Sequence, residues 1–347
     1  MSASLTDLPL AVSIGDPAGI GPEIILEAWR KLANEPAQPQ RGFFVVGGAN
    51  VLQAAADARG IDCPIVMISS PVEATSSFAS GVPVLDHTDA TYSPGSPNPA
   101  GARLALESLS KATALAIDGA AAGVVTAPVG KAELMAIGFD FPGQTEFLSH
   151  ACGLAADDAV MMLAGPSLRT VPLTVHVALR DVASLLTSEM IVHKARITAA
   201  ALKRDFGLPA PRIAIAGLNP HAGERGQFGD EEDRIIGPAI EELAAQGIDI
   251  IGPVPGDALF TPRVRQTYDA ALCMYHDQAL IPIKALEFDE GVNVTLGLPI
   301  IRTSPDHGTA FDIAGQDKAD ASAMISAIAL AGRCADARAQ ALAADHG

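Results

Sequence analysis

Short apolar runs alternate with longer stretches of helical spacing along almost the whole chain, and this alternation narrows the possible folds more than any other feature. Residues 8–14 read as a strand and 20–32 as a helix. Residues 43–46 and 65–68 read as buried strands separated by a helix over 51–59. An Ala/Leu-rich helix over 100–117 leads to a strand at 123–126. Further strands are expected at 160–163, 171–177, 212–218, 270–275 and 292–296, with helices over 188–206, 231–245 and 318–341. Strands and helices in this rhythm form a mainly parallel sheet with helices on both faces, so the fold class is α/β. At 347 residues the chain is too long for one small core, and two domains are expected. Hydrophobic residues make up 49% and aromatics only 4%, so Ala, Val, Leu and Ile must fill those cores. Tyr92 to Pro99, with its three prolines, is a loop leading into the helix that starts near residue 100.

Charge excludes several partners. Twenty-three Lys and Arg against 40 Asp and Glu give a net −17, which repels phosphate backbones and anionic lipid. No nucleic-acid or membrane partner is expected, and no apolar run approaches the ~20 residues that span a bilayer. The first residues, Met-Ser-Ala-Ser-Leu-Thr-Asp, lack the basic start and apolar stretch of a signal peptide. Cys63, Cys152, Cys273 and Cys334 are scattered with no Cys-x-x-Cys pair, so neither a disulfide framework nor a zinc ribbon is expected. A reducing cytoplasm fits both observations.

Chemistry should collect at strand ends. His176 closes one strand-like run, His221 follows another in Leu-Asn-Pro-His-Ala-Gly-Glu, and His276 follows a third in Met-Tyr-His-Asp-Gln. In an open parallel sheet the carboxyl ends of strands line the ligand crevice, so three imidazoles far apart in sequence can converge there. Three neutral imidazoles hold Zn²⁺ or Co²⁺ and leave a coordination position open. Singly, each histidine is more simply a surface or capping residue; as a set, they favour a metal. Asp277, and Asp181 in Leu-Arg-Asp, can orient ligand rings, although Asp181 can equally cap the following helix.

Anion-binding groups are also present. Asp16-Pro-Ala-Gly-Ile-Gly-Pro-Glu23 is a glycine-rich turn opening the first helix, able to hold an anion or simply to turn tightly. It is not the dinucleotide fingerprint, because the third glycine position is Ile24. Thr126-Ala-Pro-Val-Gly-Lys131 and Pro142-Gly-Gln-Thr-Glu146 are polar loops in which Lys131 and Thr145 can meet an anion, and Glu146 suits a first helical turn. Lys284, Asn293 and Arg302 interrupt apolar stretches, where polar groups are costly unless paired. A bound phosphate or carboxylate is one partner for such groups, and the many acidic side chains are another.

Read in order, these motifs resemble the 4-hydroxythreonine-4-phosphate dehydrogenase family of vitamin B6 biosynthesis. The resemblance rests on Gly15-Asp-Pro-Ala-Gly-Ile-Gly-Pro-Glu23, Leu218-Asn-Pro-His-Ala-Gly-Glu224 and Met274-Tyr-His-Asp-Gln278. Gly291-Val-Asn-Val-Thr-Leu-Gly-Leu-Pro299 and Ile301-Arg-Thr-Ser-Pro-Asp-His-Gly-Thr-Ala310 extend it over nearly the whole chain. The resemblance implies two α/β/α domains like those of isocitrate and isopropylmalate dehydrogenases, with the active site in the interdomain cleft. One domain would comprise residues 1–140 plus 303–347 and the other 141–302. It implies NAD- or NADP-dependent oxidation of 4-phosphooxy-L-threonine to 2-amino-3-oxo-4-phosphooxybutanoate, which decarboxylates to 3-amino-2-oxopropyl phosphate. The divalent metal, Zn²⁺ before Mg²⁺ or Co²⁺, would be held by His176, His221 and His276. A small phosphorylated substrate would be met by Gln144, Thr145, Lys284, Asn293 and Arg302, with Lys284 or Asp277 as base. The stretch around His307, Gly308, Asp312 and Gly315 is similar to the NAD-binding loop of the decarboxylating dehydrogenases, and a homodimer with its active site at the subunit interface is implied.

Two positions depart from that family. Gln144 stands where histidine is usual, and Gly130 where histidine or asparagine often precedes the lysine. Both bear on the substrate, and D-threonate or D-erythronate 4-phosphate is the nearest alternative. His276-Asp277 also leaves a metal-dependent phosphohydrolase as a rival, and a non-catalytic ligand-binding protein as another.

Overall fold

The computed structural model describes residues 8–34 and 41–345, so the N-terminal stretch read above for a signal lies outside them. The chain divides into a terminal unit, Met1–Ala156 with Leu298–Gly347, and a central unit, Asp157–Gly297.

In the terminal unit the strands are β1 (Leu10–Ser13), β2 (Phe43–Val46), β3 (Ile65–Ile68), β4 (Val82–Leu85), β5 (Val124–Thr126) and, late in the chain, β12 (Arg302–Pro305). They lie in the order β3-β4-β2-β1-β5-β12. Every pair among them is parallel, with Leu10 level with Phe43 and Ala11 level with Val124. β1, β2 and β5 are wholly buried, as expected of strands covered on both faces. The helices are α1 (Gly21–Asn34), α2 (Ala49–Arg59), α3 (Pro99–Ile117), α4 (Lys131–Ala136), α5 (Gln144–Ala151) and α9 (Ser322–Asp345). Asn98 caps α3 by accepting from the N–H groups of Ala100 and Gly101, with Pro99 at the first helical position. Within α3, Ser108 ties the helix to the sheet: its Oγ accepts from Ile14 N at 3.0 Å and donates to Val46 O at 2.6 Å. Phe139, Phe141 and Phe147 pack on one another and seat α4 and α5.

The central unit has β6 (Val160–Ala164), β7 (Arg169–Thr174), β8 (Arg212–Ala216), β9 (Asp249–Val254), β10 (Ala270–Tyr275) and β11 (Val292–Leu296). Their order is β11-β6-β7-β10-β8-β9. Pairs β7–β10, β10–β8 and β8–β9 are parallel, whereas β11–β6 and β6–β7 are antiparallel. Only residues 165–168 join β6 to β7, too few for a parallel crossover, so they form a hairpin closed by Gly165 N donating to Leu168 O. The helices are α6 (Ser188–Asp205), α7 (Gly237–Ala245) and α8 (His276–Glu287). The expected helix over 231–245 begins with a π-helical turn, Glu232–Ile236, before α7.

The structure adds three strands that sequence reading omitted. β4 carries Pro83, β9 carries Gly252-Pro253 at the edge of the central unit's strands, and β12 is the polar run Arg-Thr-Ser-Pro. It also makes helices of 131–136, 144–151 and 276–287. The four cysteines are free, and no helix among the described residues is long and apolar enough to cross a membrane.

Candidate active site

In the central unit, β7, β10 and β8 are adjacent and parallel, and His176, His276 and His221 follow their respective carboxyl ends. Strands lie about 4.8 Å apart, so the topology alone brings these three segments to one edge. His176 lies two residues beyond β7, which ends at Thr174 and not at 177 as expected. His276 is the first residue of α8. The His176 and His276 rings lie 5.8 Å apart, centroid to centroid. Asp277 Oδ1 is 2.7 Å from His276 Nδ1, so this nitrogen donates to the carboxylate and Nε2 keeps its lone pair for a ligand. A cavity of about 230 Å³ is lined by both rings with Tyr275, Asp277, Val177, Leu179 and Val182.

His221 is exposed on the loop after β8, with its ring 6.1 Å from that of Phe228. Among the described residues, no three His, Cys, Asp or Glu side chains stand close enough together to hold a metal ion. The structure thus brings two of the three histidines together, one of them oriented by a carboxylate, and leaves His221 apart from them. The third histidine is carried on the neighbouring strand end.

Three expectations need correction. Lys284 is exposed on α8 and is not embedded in apolar surroundings, because the apolar run 280–286 forms part of one amphipathic helix. It lies seven residues after Asp277, hence on the same face of α8 and about 10 Å further along the axis. Asp181 precedes the short turn Val182–Leu185 but makes no capping hydrogen bond, and sits beside Arg180 at 3.6 Å. The glycine-rich turn is not an open anion cradle. Its residues are buried, and a Cβ on Gly19 would stand 2.7 Å from Thr309 O, the atom that accepts from Ile20 N.

That turn instead seats the segment 307–315 in the terminal unit. Glu23, fully buried in the first turn of α1, accepts from Gly315 N at 2.7 Å and from the Tyr92 hydroxyl at 3.2 Å. Gly308, Asp312 and Gly315 are exposed, and His307 Nε2 is a buried atom with no hydrogen-bond partner. An orphaned donor or acceptor on a clamped, irregular loop fits a polar cofactor.

Arg302, at the start of β12, is 4% exposed, and burial pushes its guanidinium down to about 10. Its Nη2 donates to Thr126 Oγ1 at 2.7 Å and to Gln144 Oε1 at 3.1 Å. Gln144 and Thr145 open α5, whose N-cap, Gly143, offers no side-chain bond to the first helical N–H groups. A buried cation, a hydroxyl and an uncapped helix start together can hold a phosphate. In the central unit, Asn293 lies on β11 level with Leu163, and its Oδ1 is buried without a partner.

Sequence reading missed the groups that hold these residues in place, namely Thr126 as Arg302's acceptor, Glu23 as the clamp on Gly315, and Glu232 beneath the His221 loop. Nothing local distinguishes Glu232 from its neighbours Glu231 and Asp233. Glu23 was visible only as the end of a motif.

The sequence model of the pyridoxal phosphate biosynthetic protein PdxA family matches residues 40–331. A 4-hydroxythreonine-4-phosphate dehydrogenase of Erythrobacter litoralis is 60% identical over 333 residues, covering 96% of this chain and 98% of the relative. One from Zymomonas mobilis is 55% identical, covering 95% and 96%. The crystal structure of 4-hydroxythreonine-4-phosphate dehydrogenase from Klebsiella pneumoniae superimposes with a TM-score of 0.85 at 40% identity, covering 95% of this chain and 98% of the other. With a match of that length to the family model and relatives of that identity, the chain belongs to the pyridoxal phosphate biosynthetic protein PdxA family.

Proposed function

We propose that this chain oxidises 4-phosphooxy-L-threonine with NAD or NADP to 2-amino-3-oxo-4-phosphooxybutanoate, whose decarboxylation gives 3-amino-2-oxopropyl phosphate for pyridoxal phosphate synthesis. The observation that carries the reading is the His176–His276 pair at neighbouring strand ends, with Asp277 fixing the tautomer of one ring. Relatives at 60% and 55% identity bear the name of this activity.

His176, His221 and His276 are the residues that would hold a divalent cation, with Zn²⁺ favoured by imidazole donors and Mg²⁺ or Co²⁺ as alternatives. When bound, the metal lowers the pKa of an alcohol oxygen and later stabilises negative charge on the same oxygen. Arg302, Thr145 and the start of α5 would bind the phosphate, and Asn293 of the central unit, whose Oδ1 is buried without a partner, is a further candidate for a polar contact to substrate. Gln144 holds the guanidinium, whereas a histidine there would bring a titrating group instead. Lys284 and Asp277 remain the two candidate bases on one face of α8. The loop with His307, Gly308, Asp312 and Gly315 would receive the nicotinamide cofactor, whose own ring accepts the hydride.

Exposed Ile281, Leu286 and Phe288 in and beside α8 support a homodimer, since apolar side chains at such exposure favour burial against a second copy. The four free cysteines suit a reducing cytoplasm.

The test is a screen of phosphorylated four-carbon acids with NAD and with NADP, with and without a chelator, following NADH or NADPH absorbance. Oxidation of 4-phosphooxy-L-threonine that the chelator abolishes is the expected result. Preference for D-threonate or D-erythronate 4-phosphate would reassign the substrate, and phosphate release without nucleotide would replace the reading with hydrolysis.

A further inference from the structure

The loop carrying His221 is held in an unusual shape. His221, Ala222, Gly223, Glu224 and Arg225 all have positive φ, at 53°, 52°, 77°, 42° and 61°. L-residues avoid this region, so consecutive residues in it need support from outside the loop. The support is one buried carboxylate. Glu232 is 4% exposed, and its Oε1 accepts from Leu218 N at 2.8 Å and Asn219 N at 2.7 Å. Its Oε2 accepts from Asn219 Nδ2 at 3.0 Å, and Glu231 Oε2 accepts from the same nitrogen at 2.7 Å.

The fit is close. A Cβ on Gly223 would come within 2.7 Å of Glu232 Oε2, and one on Gly217 within 3.3 Å of Oε1. Glu232 itself sits in the π-helical turn Glu232–Ile236, a form that recurs at functional sites. Gln278 fastens the loop's base from the other side: it accepts from Met274 N at 2.6 Å and donates to Gly217 O at 2.8 Å, joining the ends of β10 and β8.

A carboxylate buried for stability alone would be poorly chosen, since a neutral, well-packed residue usually serves as well. What Glu232 contributes is shape: its donors are all on the segment leading to His221. We propose that Glu232 is a positioning residue that holds the His221 loop, and with it the His221 imidazole, in the shape a metal ligand needs, with Gln278 fixing the base of that loop. This rests on the reading of the three histidines as metal ligands.

The test is a cobalt(II) titration of the metal-free, full-length protein, followed by visible absorption, with no nucleotide or substrate present. Wild type is compared with His221→Ala, Glu232→Ala and the double variant. Each single change should weaken cobalt binding roughly ten- to a hundred-fold, the usual effect of losing a ligand's support. The double variant should bind no more than about threefold more weakly than His221→Ala, because the clamp acts only through that ring.

A general structural role for Glu232 would instead make the two losses multiply, and that result overturns the proposal. So does wild-type affinity in Glu232→Ala. If that variant does not fold, Glu232→Gln decides. It keeps the volume and one acceptor but points an amide at Asn219 Nδ2, and should lose at least threefold; wild-type affinity would again overturn the proposal. Unchanged binding in His221→Ala, or none in the wild type, identifies the metal reading as the part that failed, and the positioning role fails with it.

Discussion

Removing the Arg302 side chain tests the proposed phosphate site most directly. The guanidinium is 4% exposed and fixed by Thr126 Oγ1 and Gln144 Oε1, both accepting from Nη2. A charge-assisted hydrogen bond contributes about 1.5–3 kcal/mol, and about 1.4 kcal/mol is a factor of ten. Arg302→Ala should therefore lower kcat/KM for the phosphorylated substrate roughly ten- to 150-fold for a single lost contact. KM for the nucleotide should stay within about twofold. The bonds to Thr126 and Gln144 are lost as well, but the cost of burying a charge is also relieved, so the net change in stability is small. Thermal melts should shift by only a few degrees, at about 2–4 °C per kcal/mol for domains of this size.

The pH dependence has a definite sign. Burial lowers the group to about 10, so it is charged through neutral pH and loses its proton as the pH rises through that value. Substrate affinity in the wild type should fall on that alkaline limb, and the limb should vanish in Arg302→Ala. Steady-state kinetics with each substrate varied in turn decide the matter. Equal damage to nucleotide and substrate would refute the assignment, and damage to the nucleotide alone would move Arg302 to the cofactor site.

Other changes read out separate parts of the molecule. Asp277→Ala removes the acceptor of His276 Nδ1 and should weaken cobalt binding roughly tenfold or more, with melting nearly unchanged; undiminished binding would show that the carboxylate does not orient the ring. Glu23→Ala removes the acceptor of Gly315 N and should raise KM for NAD about tenfold, leaving KM for the phosphorylated acid nearly constant; the reverse pattern would place the cofactor elsewhere. Gly15→Ala puts a Cβ 2.5 Å from Pro128 O at a φ of +75°, and should cost about 1–3 kcal/mol in denaturant melts; wild-type stability would contradict the strain argument. Mixed dimers of His176→Ala, which lacks a candidate ligand, and the impaired Arg302→Ala should exceed the activity of either variant alone if each site draws on both chains, and should only average the two if each chain is self-sufficient.

The α/β class was readable because buried parallel strands are continuous apolar runs, as in Phe43-Phe-Val-Val46 and the 270–275 segment. What escaped were elements whose composition contradicts their position. Pro83 sits in β4 between two neighbours, and β12 is polar yet buried because its groups bond across the unit, Thr303 Oγ1 to Ala327 O and Arg302 to Thr126. The candidate ligands were legible because histidines after strand ends stand out. Their supports were not, because Glu232 serves Leu218 and Asn219 only once π-helix and loop are folded together.

The two outer histidines share a further property that no sequence reading could give. His176 and His221, on the strands either side of β10, both have φ of 53°, while His276 begins a regular helix. A left-handed conformation costs an L-residue about 1–2 kcal/mol, and glycine would avoid that cost at either position. A strained backbone at two equivalent strand ends, each bearing imidazole, is difficult to explain as packing, because both side chains are exposed. It is easier to explain as aim. The left-handed turn lets a side chain on each outer strand end be directed without lengthening the strand, while the central histidine is directed by its helix and by Asp277. If the proposed metal reading holds, stability is given up at the two positions where orientation matters, and the bonds of Glu232 and Gln278 keep the His221 loop beyond β8 from relaxing.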